Sequence, residues 1–305
     1  MRILKRFLSH WQNYIALVLV AFFLEVAIFA PALAPPDDPD APAYYRYPPG
    51  VRITSLRTPL PPDEDLVLGT TPGGYDIYYS LIWGVRPALR FGLMGAFVSG
   101  IFGVVLGAVS GYVGGWFNRV VLRITDAFLT FPVIAGVFLF NEILRPGYYR
   151  TIRGTIQDAL FSFGPVLLAL ILFSWMPYTR IINANITRLR QIEFVYAAKT
   201  IGATRARIIF RHLLPNTISP AIVLVARDIG AMVMLEATFA FIGMGGTIPW
   251  SVILTASRDW IIGPGGNPLI YWWVFIPTTL TLILFGMGWN LLGDGLNDAL
   301  DPRRV

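Results

Sequence analysis

Cysteine is absent from this 305-residue chain, and lysine occurs only twice. Without cysteine, neither disulfides nor thiolate metal sites can form, and the redox state of the compartment cannot be inferred. Neither Lys5 nor Lys199 ends a G-x-x-x-x-G-K loop, the sequence that cradles nucleotide phosphates in P-loop proteins. The chain therefore does not bind ATP in that way.

Histidine is equally scarce, and His10 and His212 lie far apart in the sequence. No H-E-x-x-H pattern, zinc-ligand set or evident Ser-His-Asp set accompanies them. We therefore expect no metal site, no cofactor and no enzymatic activity. An intramembrane hydrolase built on carboxylates is the remaining enzymatic alternative. Its acids would be those in or near apolar stretches, namely Glu25, Asp126, Asp228 and Glu236.

Charged residues make up only 14% of the chain, whereas hydrophobic residues make up 55%. A soluble domain carries about a quarter charged residues. The composition thus predicts an integral membrane protein, long enough for about six spanning helices and their loops. The formal net charge is +6, but the basic residues collect beside apolar stretches, which indicates retention at one membrane face rather than nucleic-acid binding.

Six apolar stretches approach the length of about 20 residues that a helix needs to cross the hydrocarbon layer. Each must be helical, because unpaired backbone groups are costly in lipid, so the predicted fold class is all-α and polytopic. The first stretch ends in Ala32-Leu33-Ala34 and resembles a signal peptide, but its length and Glu25 favour an uncleaved anchor. The predicted spans are 14–34, 89–113, 120–140, 161–178, 218–245 and 271–292.

These spans divide the chain into four parts. Residues 1–34 form the N-terminus and the first transmembrane helix, 35–87 a proline-rich external loop, 88–292 a five-helix core, and 293–305 a C-terminal tail. The distribution of Lys and Arg in short loops predicts that both termini are cytoplasmic. The prolines of the external loop favour extended geometry, which suits a solvated tether or a contact surface for an external partner.

Small residues recur every four positions in the second predicted span. At this spacing they form one stripe along a helix and allow a second helix backbone to approach closely. The stripe therefore predicts tight helix packing rather than a binding site. Its members are Ser99, Gly103, Gly107, Gly111 and Gly115.

Residues 181–216, called the basic segment below, interrupt the apolar core with six basic residues and a single acid, Glu193. Residues 193–199 favour a short helix, on which Ala197 and Ala198 are expected to present a small surface to a partner. Gly202 suits the end of that helix, because it adopts a left-handed backbone at little cost. The basic residues are Arg188, Arg190, Lys199, Arg205, Arg207 and Arg211.

A second helix is predicted from Ala203, with its arginines on one side and Ile208, Ile209 and Leu213 on the other. Pro215, which follows Leu214, marks a break before the fifth span because proline cannot continue the hydrogen-bond ladder. The basic segment is thus a helix–turn–helix at the membrane surface, joined to the fourth and fifth spans.

Three ionisable residues fall inside or close to the fifth predicted span: Arg227, Asp228 and Glu236. An exposed charge at mid-bilayer is expensive, so these groups must face other helices or a polar cavity. Pairing with neighbouring helices and lining of a translocation path are both open interpretations.

The basic segment resembles the E-A-A…G…I-x-L-P signature of ABC importer permease subunits, with Glu193, Ala197-Ala198, Gly202, Ile209 and Leu214-Pro215 in matching places. Two further stretches are similar to the peptide/oligopeptide/nickel branch of that family. They are Leu235-Glu-Ala-Thr-Phe-Ala-Phe-Ile-Gly-Met-Gly245 and Asn290-Leu-Leu-Gly-Asp-Gly-Leu-Asn-Asp-Ala-Leu-Asp-Pro302-Arg303. The single first span, long external loop and tail resemble the second permease of such systems.

The sequence departs from the family pattern in two places. The stretch Gly69-Thr70-Thr71…Gly74-Tyr75-Asp76…Ser80-Leu81 lacks two arginines and one acid that the family usually carries. An insertion around 141–158 is also longer than usual. Both lie in predicted external parts, where an external binding protein would dock.

The resemblance implies a type I ABC importer permease that forms half of a translocation pathway in the cell membrane. The implied partners are a homologous sister permease, two cytoplasmic ATPases, an external solute-binding protein and membrane lipid. Coupling to the ATPases would involve Glu193, Ala197, Ala198, Lys199, Gly202, Leu214 and Pro215. The solute stays open among dipeptides, oligopeptides, nickel chelates, opines and sugars. The alternative is an ion- or proton-coupled secondary transporter with Glu25, Asp228 or Glu236 as the coupling acid.

Overall fold

The computed structural model describes residues 6–38, 43–48, 58–151, 164–244, 246–261 and 269–300, with the backbone alone for 144–151. Within these ranges the protein is helical, as predicted, and the one extended pairing is an isolated bridge between Thr70 and Asp76. The helices are α1 (Trp11–Leu33), α2 (Ile77–Val113), α3 (Gly115–Thr130), α4 (Val133–Thr151), α5 (Gly164–Leu172), α6 (Met176–Leu189), α7 (Glu193–Thr200), α8 (Arg205–Asn216), α9 (Ser219–Met244), α10 (Pro249–Ser257) and α11 (Trp272–Leu300).

Four helices or continuous helix pairs are long and apolar enough to cross a membrane, namely α1, α2, α5 with α6, and α11. Six spans result if two bent pairs, α3 with α4 and α8 with α9, each count as one. The predicted number of about six is therefore confirmed in this sense. The helices extend beyond the predicted spans, since α2 begins at Ile77, α6 runs to Leu189 and α11 runs to Leu300.

The third predicted span, 120–140, is not one straight helix. A break at Phe131 and Pro132 separates α3 from α4, and the two axes differ by 93°. Proline lacks the amide hydrogen that would continue the ladder, and it disfavours helical geometry in the residue before it. Phe131 accordingly has an extended backbone (φ −76°, ψ 135°).

The chain divides into two compact units. Unit 1 comprises Met1–Asn13, Met94–Asp228 and Leu291–Val305, and unit 2 comprises Tyr14–Leu93 and Ile229–Asn290. The helices α1, α2, α9 and α11 contribute residues to both.

Unit 1 contains the glycine stripe of α2, which packs against α6. A β-carbon added at Gly107 would lie 2.5 Å from the Thr179 carbonyl oxygen, and one at Gly111 would lie 2.9 Å from that of Asn183. The Thr179 hydroxyl donates to the Gly103 carbonyl at 3.0 Å. The predicted close packing is confirmed for these glycines. Gly115 is different, because it lies beyond the end of α2 and nothing would approach its β-carbon.

Unit 2 has an aromatic core in which Phe23, Trp250 and Phe285 contact one another with ring centroids 5.1 to 6.0 Å apart. The Trp250 indole donates to the Leu81 carbonyl at 3.0 Å, and the Trp83 indole donates to the Ala34 carbonyl at 2.8 Å. These bonds satisfy the polar edge of each ring while its apolar face is buried.

Part of the predicted external loop also belongs to unit 2. The guanidinium of Arg46 pairs with Asp76 at 2.8 Å and lies over the Tyr79 ring, 4.6 Å from its centroid. Residues 77–87 belong to α2. The structure does not describe the rest of this loop at 39–42 and 49–57, the end of the 141–158 insertion from 152, Gly245, or the tail from 301.

Candidate functional site

The first helix of the basic segment, α7, begins at Glu193 and ends with the hydrogen bonds of a Schellman motif. The amide of Gly202 donates to the Lys199 carbonyl at 3.0 Å, and the amide of Ala203 donates to the Ala198 carbonyl at 3.0 Å. This closure needs a left-handed residue after the helix. Gly202 supplies it with φ 80°, so the predicted conformation is confirmed.

One face of α7 is buried against the other helices of unit 1. Val195 is 0% and Ala198 is 8% exposed, and both belong to an apolar cluster that includes residues of α6 and α8. The prediction that both alanines face a partner is therefore wrong for Ala198, because it points into this cluster. Ala197, one residue earlier, is exposed. The other members from α6 and α8 are Tyr178, Ile182, Ile186, Ile208, Ile209 and Leu213.

The second helix, α8, is irregular and short. Its first turn is capped by Thr204, whose hydroxyl accepts from the Arg207 amide, and a π-helical turn follows from Ile208 to Leu213. A 3-10 turn at Leu214–Asn216 ends it, and the axis of α9 differs from that of α8 by 68°. Pro215 lies in that 3-10 turn, and the break before α9 follows directly at Thr217 and Ile218. Leu214 is half-buried and Pro215 is exposed.

Arg190 fixes the basic segment to the end of α2. Its guanidinium donates to the carbonyls of Gly111 at 3.0 Å and Tyr112 at 3.3 Å, which are left unpaired where α2 ends. The amide of Asn183 adds bonds to Ser110 at 2.8 Å and Asn118 at 2.6 Å. The sequence analysis did not predict that Arg190 and Asn183 bind the end of α2. Arg190 is one of six basic residues in the segment, and no sequence pattern marks Asn183.

The outward face of the basic segment carries apolar side chains beside its charges. Ile201, at the turn between α7 and α8, is 86% exposed. Phe194 and Tyr196 on α7 and Phe210 on α8 are also exposed, at 41%, 56% and 47%. Large apolar groups this exposed, rimmed by charge, are typical of a protein interaction surface.

Arg227 and Asp228 lie in unit 1 and each bonds to a different helix. The Arg227 guanidinium pairs with the Asp294 carboxylate of α11, and the Tyr178 hydroxyl of α6 donates to Asp228 at 2.7 Å. The side chains of Arg227 and Asp294 are 42% and 48% exposed. The two adjacent charges therefore connect α9 to both α11 and α6. The tail motif contains Asp294, but nothing in the sequence links it to Arg227.

Glu236 lies in unit 2, where it is fully buried. Its carboxylate accepts from the Thr247 amide at 2.7 Å, the Thr247 hydroxyl at 3.1 Å, the Ile248 amide at 3.3 Å and the Ser251 hydroxyl. These donors lie at the start of α10, so Glu236 caps that helix from another part of the chain.

Tyr45, in the segment that precedes α2, lies in the same unit. Burial raises the pKa of its hydroxyl, and the negative charge of Glu236 raises it further.

The described residues contain no group of three or more His, Asp or Glu side chains placed to hold a metal ion.

Comparison with known proteins places these features in context. A family model described as the binding-protein-dependent transport system inner membrane component matches residues 103–305. The dipeptide transport system permease protein DppC of Alkalihalophilus pseudofirmus is 31% identical over 292 residues, which cover 95% of this chain and 85% of the relative.

Two further relatives have similar coverage. The glutathione transport system permease protein GsiD of Pectobacterium atrosepticum is 29% identical over 98% of this chain and 89% of its own length. The oligopeptide transport system permease protein OppC of Bacillus subtilis is 27% identical over 98% of this chain and 88% of its own length.

Proposed function

This chain belongs to the family of binding-protein-dependent transport system inner membrane components, and on that premise we propose how it works as the permease subunit of an ATP-driven importer. It is a multi-pass protein of the cell membrane, and its family implies partnership with an ATPase and a solute-binding protein. In our proposal it forms half of the translocation pathway, and a homologous sister permease forms the other half. Two ATPases carry out the ATP hydrolysis. No finding supports the alternative of an ion-coupled secondary transporter.

The cargo that we propose is a short peptide. The relatives are named for dipeptides, oligopeptides and glutathione, all of which are peptides. Uptake of labelled dipeptides, tripeptides and glutathione by cells with and without the gene tests this. If cells without the gene lost nickel or sugar uptake but took up peptides normally, the proposed peptide cargo would be wrong.

We place both termini in the cytoplasm, with the basic segment at the cytoplasmic face. Support comes from the basic residues concentrated in that segment. Since the chain has no cysteine, single substitutions provide a clean test. Asp65→Cys should react with an impermeant thiol reagent in intact cells, and Ser9→Cys should react only after permeabilisation. The reverse pattern would invert the topology.

The observation that carries the mechanism is the two-faced packing of α7. Its inner face is fixed to α6 and α8 by Val195 and Ala198, while Ile201 and Ala197 remain exposed. In our proposal the ATPases contact this outer face around Glu193 and Ala197. When they close, the displacement passes through the buried contacts to the helices that line the pore.

Arg227 and Asp228 are proposed to line the translocation path. Both are incompletely buried in the single chain, and both connect α9 to other helices. Glu236 has a different proposed role, because its carboxylate is buried and bonded to several donors at the start of α10. We propose that it fixes α10 to α9 and contacts no solute.

Gly202→Val tests the coupling role of the basic segment. A left-handed backbone costs an ordinary residue roughly 1–2 kcal/mol, so the end of α7 should unwind or tilt. Nothing lies within 4 Å of a β-carbon at Gly202, so crowding adds little. We expect normal insertion in the membrane but loss of the ATP hydrolysis that loaded binding protein stimulates in the reconstituted importer.

Gly115→Val is the matched control. Gly115 is also left-handed, with φ 59°, and a β-carbon there would also meet nothing. It lies outside the basic segment, so stimulation should persist. Full stimulation in the Gly202 variant, or equal loss in both variants, would contradict the assignment.

A further inference from the structure

A cleft lies between the basic segment and the end of α2 in unit 1. It has a volume of about 420 Å³ and is lined by Tyr112, Val113, Lys199, Ala203, Arg205 and Ile208. Its walls thus combine two cations with one aromatic ring and short apolar side chains. Neither passage of a peptide nor contact between the ATPase and the outer face of α7 explains why these residue types line the cleft.

The two cations are exposed and available to an anion. Among the described residues, neither Lys199 nor Arg205 forms an ion pair with a carboxylate. The Lys199 ammonium lies 5.7 Å from the ring centroid of Tyr112 and 5.2 Å from that of Tyr196. Cation–π contacts hold the ammonium in position without neutralising its charge.

The neighbouring residues place the cleft at the depth of lipid headgroups. Val113 is the last residue of the membrane-spanning helix α2 and is 49% exposed. Trp116, three residues further on, is 71% exposed. Tryptophan and tyrosine favour the boundary between hydrocarbon and headgroups. A ligand in the cleft therefore has apolar side chains beside it on which acyl chains can lie.

We propose that this cleft binds the phosphodiester headgroup of an anionic phospholipid, with Lys199 and Arg205 as the charged contacts. Basic pockets between helices at the cytoplasmic face are suited to such headgroups. The cytoplasmic location rests on the proposed function, whereas the cleft and its charges do not. A lipid held here would contact the basic segment and the end of α2 together, and would reinforce the link that Arg190 makes.

The test is lipid binding to the purified, delipidated full chain, measured by titration with phosphatidylglycerol and, in parallel, phosphatidylcholine of the same acyl chains. Each basic residue near an anionic surface is worth about a fivefold change in affinity. Arg205→Gln should therefore bind phosphatidylglycerol about fivefold more weakly, and the double variant with Lys199→Gln about 25-fold more weakly. Phosphatidylcholine binding should be weak and unchanged.

Arg207→Gln is the matched control, because Arg207 carries the same charge in the same segment but does not line the cleft. It should change the affinity less than twofold. The charge-retaining variants Lys199→Arg and Arg205→Lys should bind nearly as well as the original chain, which separates loss of charge from misfolding.

Three results would overturn the proposal. Equal loss in Arg207→Gln would indicate diffuse attraction rather than a site. Displacement of the lipid by millimolar glycerol phosphate would identify a site for free phosphate. Normal lipid binding by the double variant, with failure to retain the ATPase on purification, would assign the two cations to the ATPase instead. Lipid binding is measured here without the ATPase, so its failure leaves the permease assignment intact.

Discussion

Two sets of ionisable side chains on α9 differ in what surrounds them. In unit 2, Glu236 is fully buried, and both oxygens of its carboxyl group accept hydrogen bonds from the start of α10. In unit 1, Arg227 is about half exposed, and its partner Asp294 belongs to a different helix. The contrast indicates that the same helix carries a buried carboxyl group bonded to several donors in one unit and a half-exposed ion pair in the other. A buried group bonded to several donors is costly to disturb, whereas a half-exposed ion pair contributes less to stability.

The largest effect is expected from Glu236→Leu. It leaves the part-buried amide of Thr247, the buried amide of Ile248 and the buried Ser251 hydroxyl without their acceptor. Each buried group left unpaired costs about 1–3 kcal/mol, so the two buried donors alone should make the loss of stability at least about 2 kcal/mol. Thermal unfolding of the purified protein in detergent measures it.

Glu236→Gln is the matched variant for that test, since it keeps one carbonyl acceptor and should lose clearly less stability than the leucine variant. If the leucine variant is as stable as the original chain, the capping role of Glu236 and the contrast above are both wrong.

A smaller effect is expected from Tyr178→Phe. It removes the hydroxyl that donates to Asp228 at 2.7 Å but leaves the buried ring in the apolar cluster. A hydrogen bond to a charged group contributes about 1.5–3 kcal/mol, and solvent near the half-buried Asp228 should reduce the loss toward the lower figure. Thermal unfolding again provides the measurement, with the exposed Tyr14→Phe as an unaffected control. A loss as large as that of Glu236→Leu would remove the distinction between the two units.

The smallest effect on stability is expected from Asp294→Asn. It removes one charge from a pair whose members are 42% and 48% exposed, and such pairs contribute about 0–1 kcal/mol. If the pair belongs to the translocation path, peptide uptake should nevertheless fall by about fivefold, the equivalent of 1 kcal/mol.

The charge exchange of Arg227→Asp with Asp294→Arg restores opposite signs and should recover part of that uptake. Unchanged uptake in Asp294→Asn together with a large loss of stability would show that this pair is structural, like Glu236.

Local backbone rules predicted much of the site. The left-handed backbone at Gly202 and a helix break next to Pro215 follow from single-residue properties; the structure has the first, and its break comes just after Pro215. The four-residue spacing of Gly103, Gly107 and Gly111 likewise predicted a close helix contact. The same rule for proline also predicts the break at Pro132. The third span was nevertheless predicted as one helix, because the apolar run continues through this proline.

Tertiary partners were not predictable in this way. Asp228 is adjacent to Arg227 in sequence, yet they bond to Tyr178 and Asp294, which lie 50 and 67 residues away. Which helices meet is decided by packing, and a single sequence carries no record of it. The burial of Ala198 was missed for a related reason, since the inner face of a short helix depends on where its neighbours lie.

The contact of α2 with α6 also determines where unit 1 can bend. The backbones at Gly107 and Gly111 lie so close to Thr179 and Asn183 that a methyl group would not fit between them. Two helices at this distance cannot slide past each other without backbone collisions, so we expect them to move together. In the proposed mechanism, a displacement that starts at α7 would then be taken up at the two bends, where Pro132 separates α3 from α4 and where α8 meets α9 just after Pro215. Stiffening either joint should therefore slow transport without weakening any contact to the ATPase.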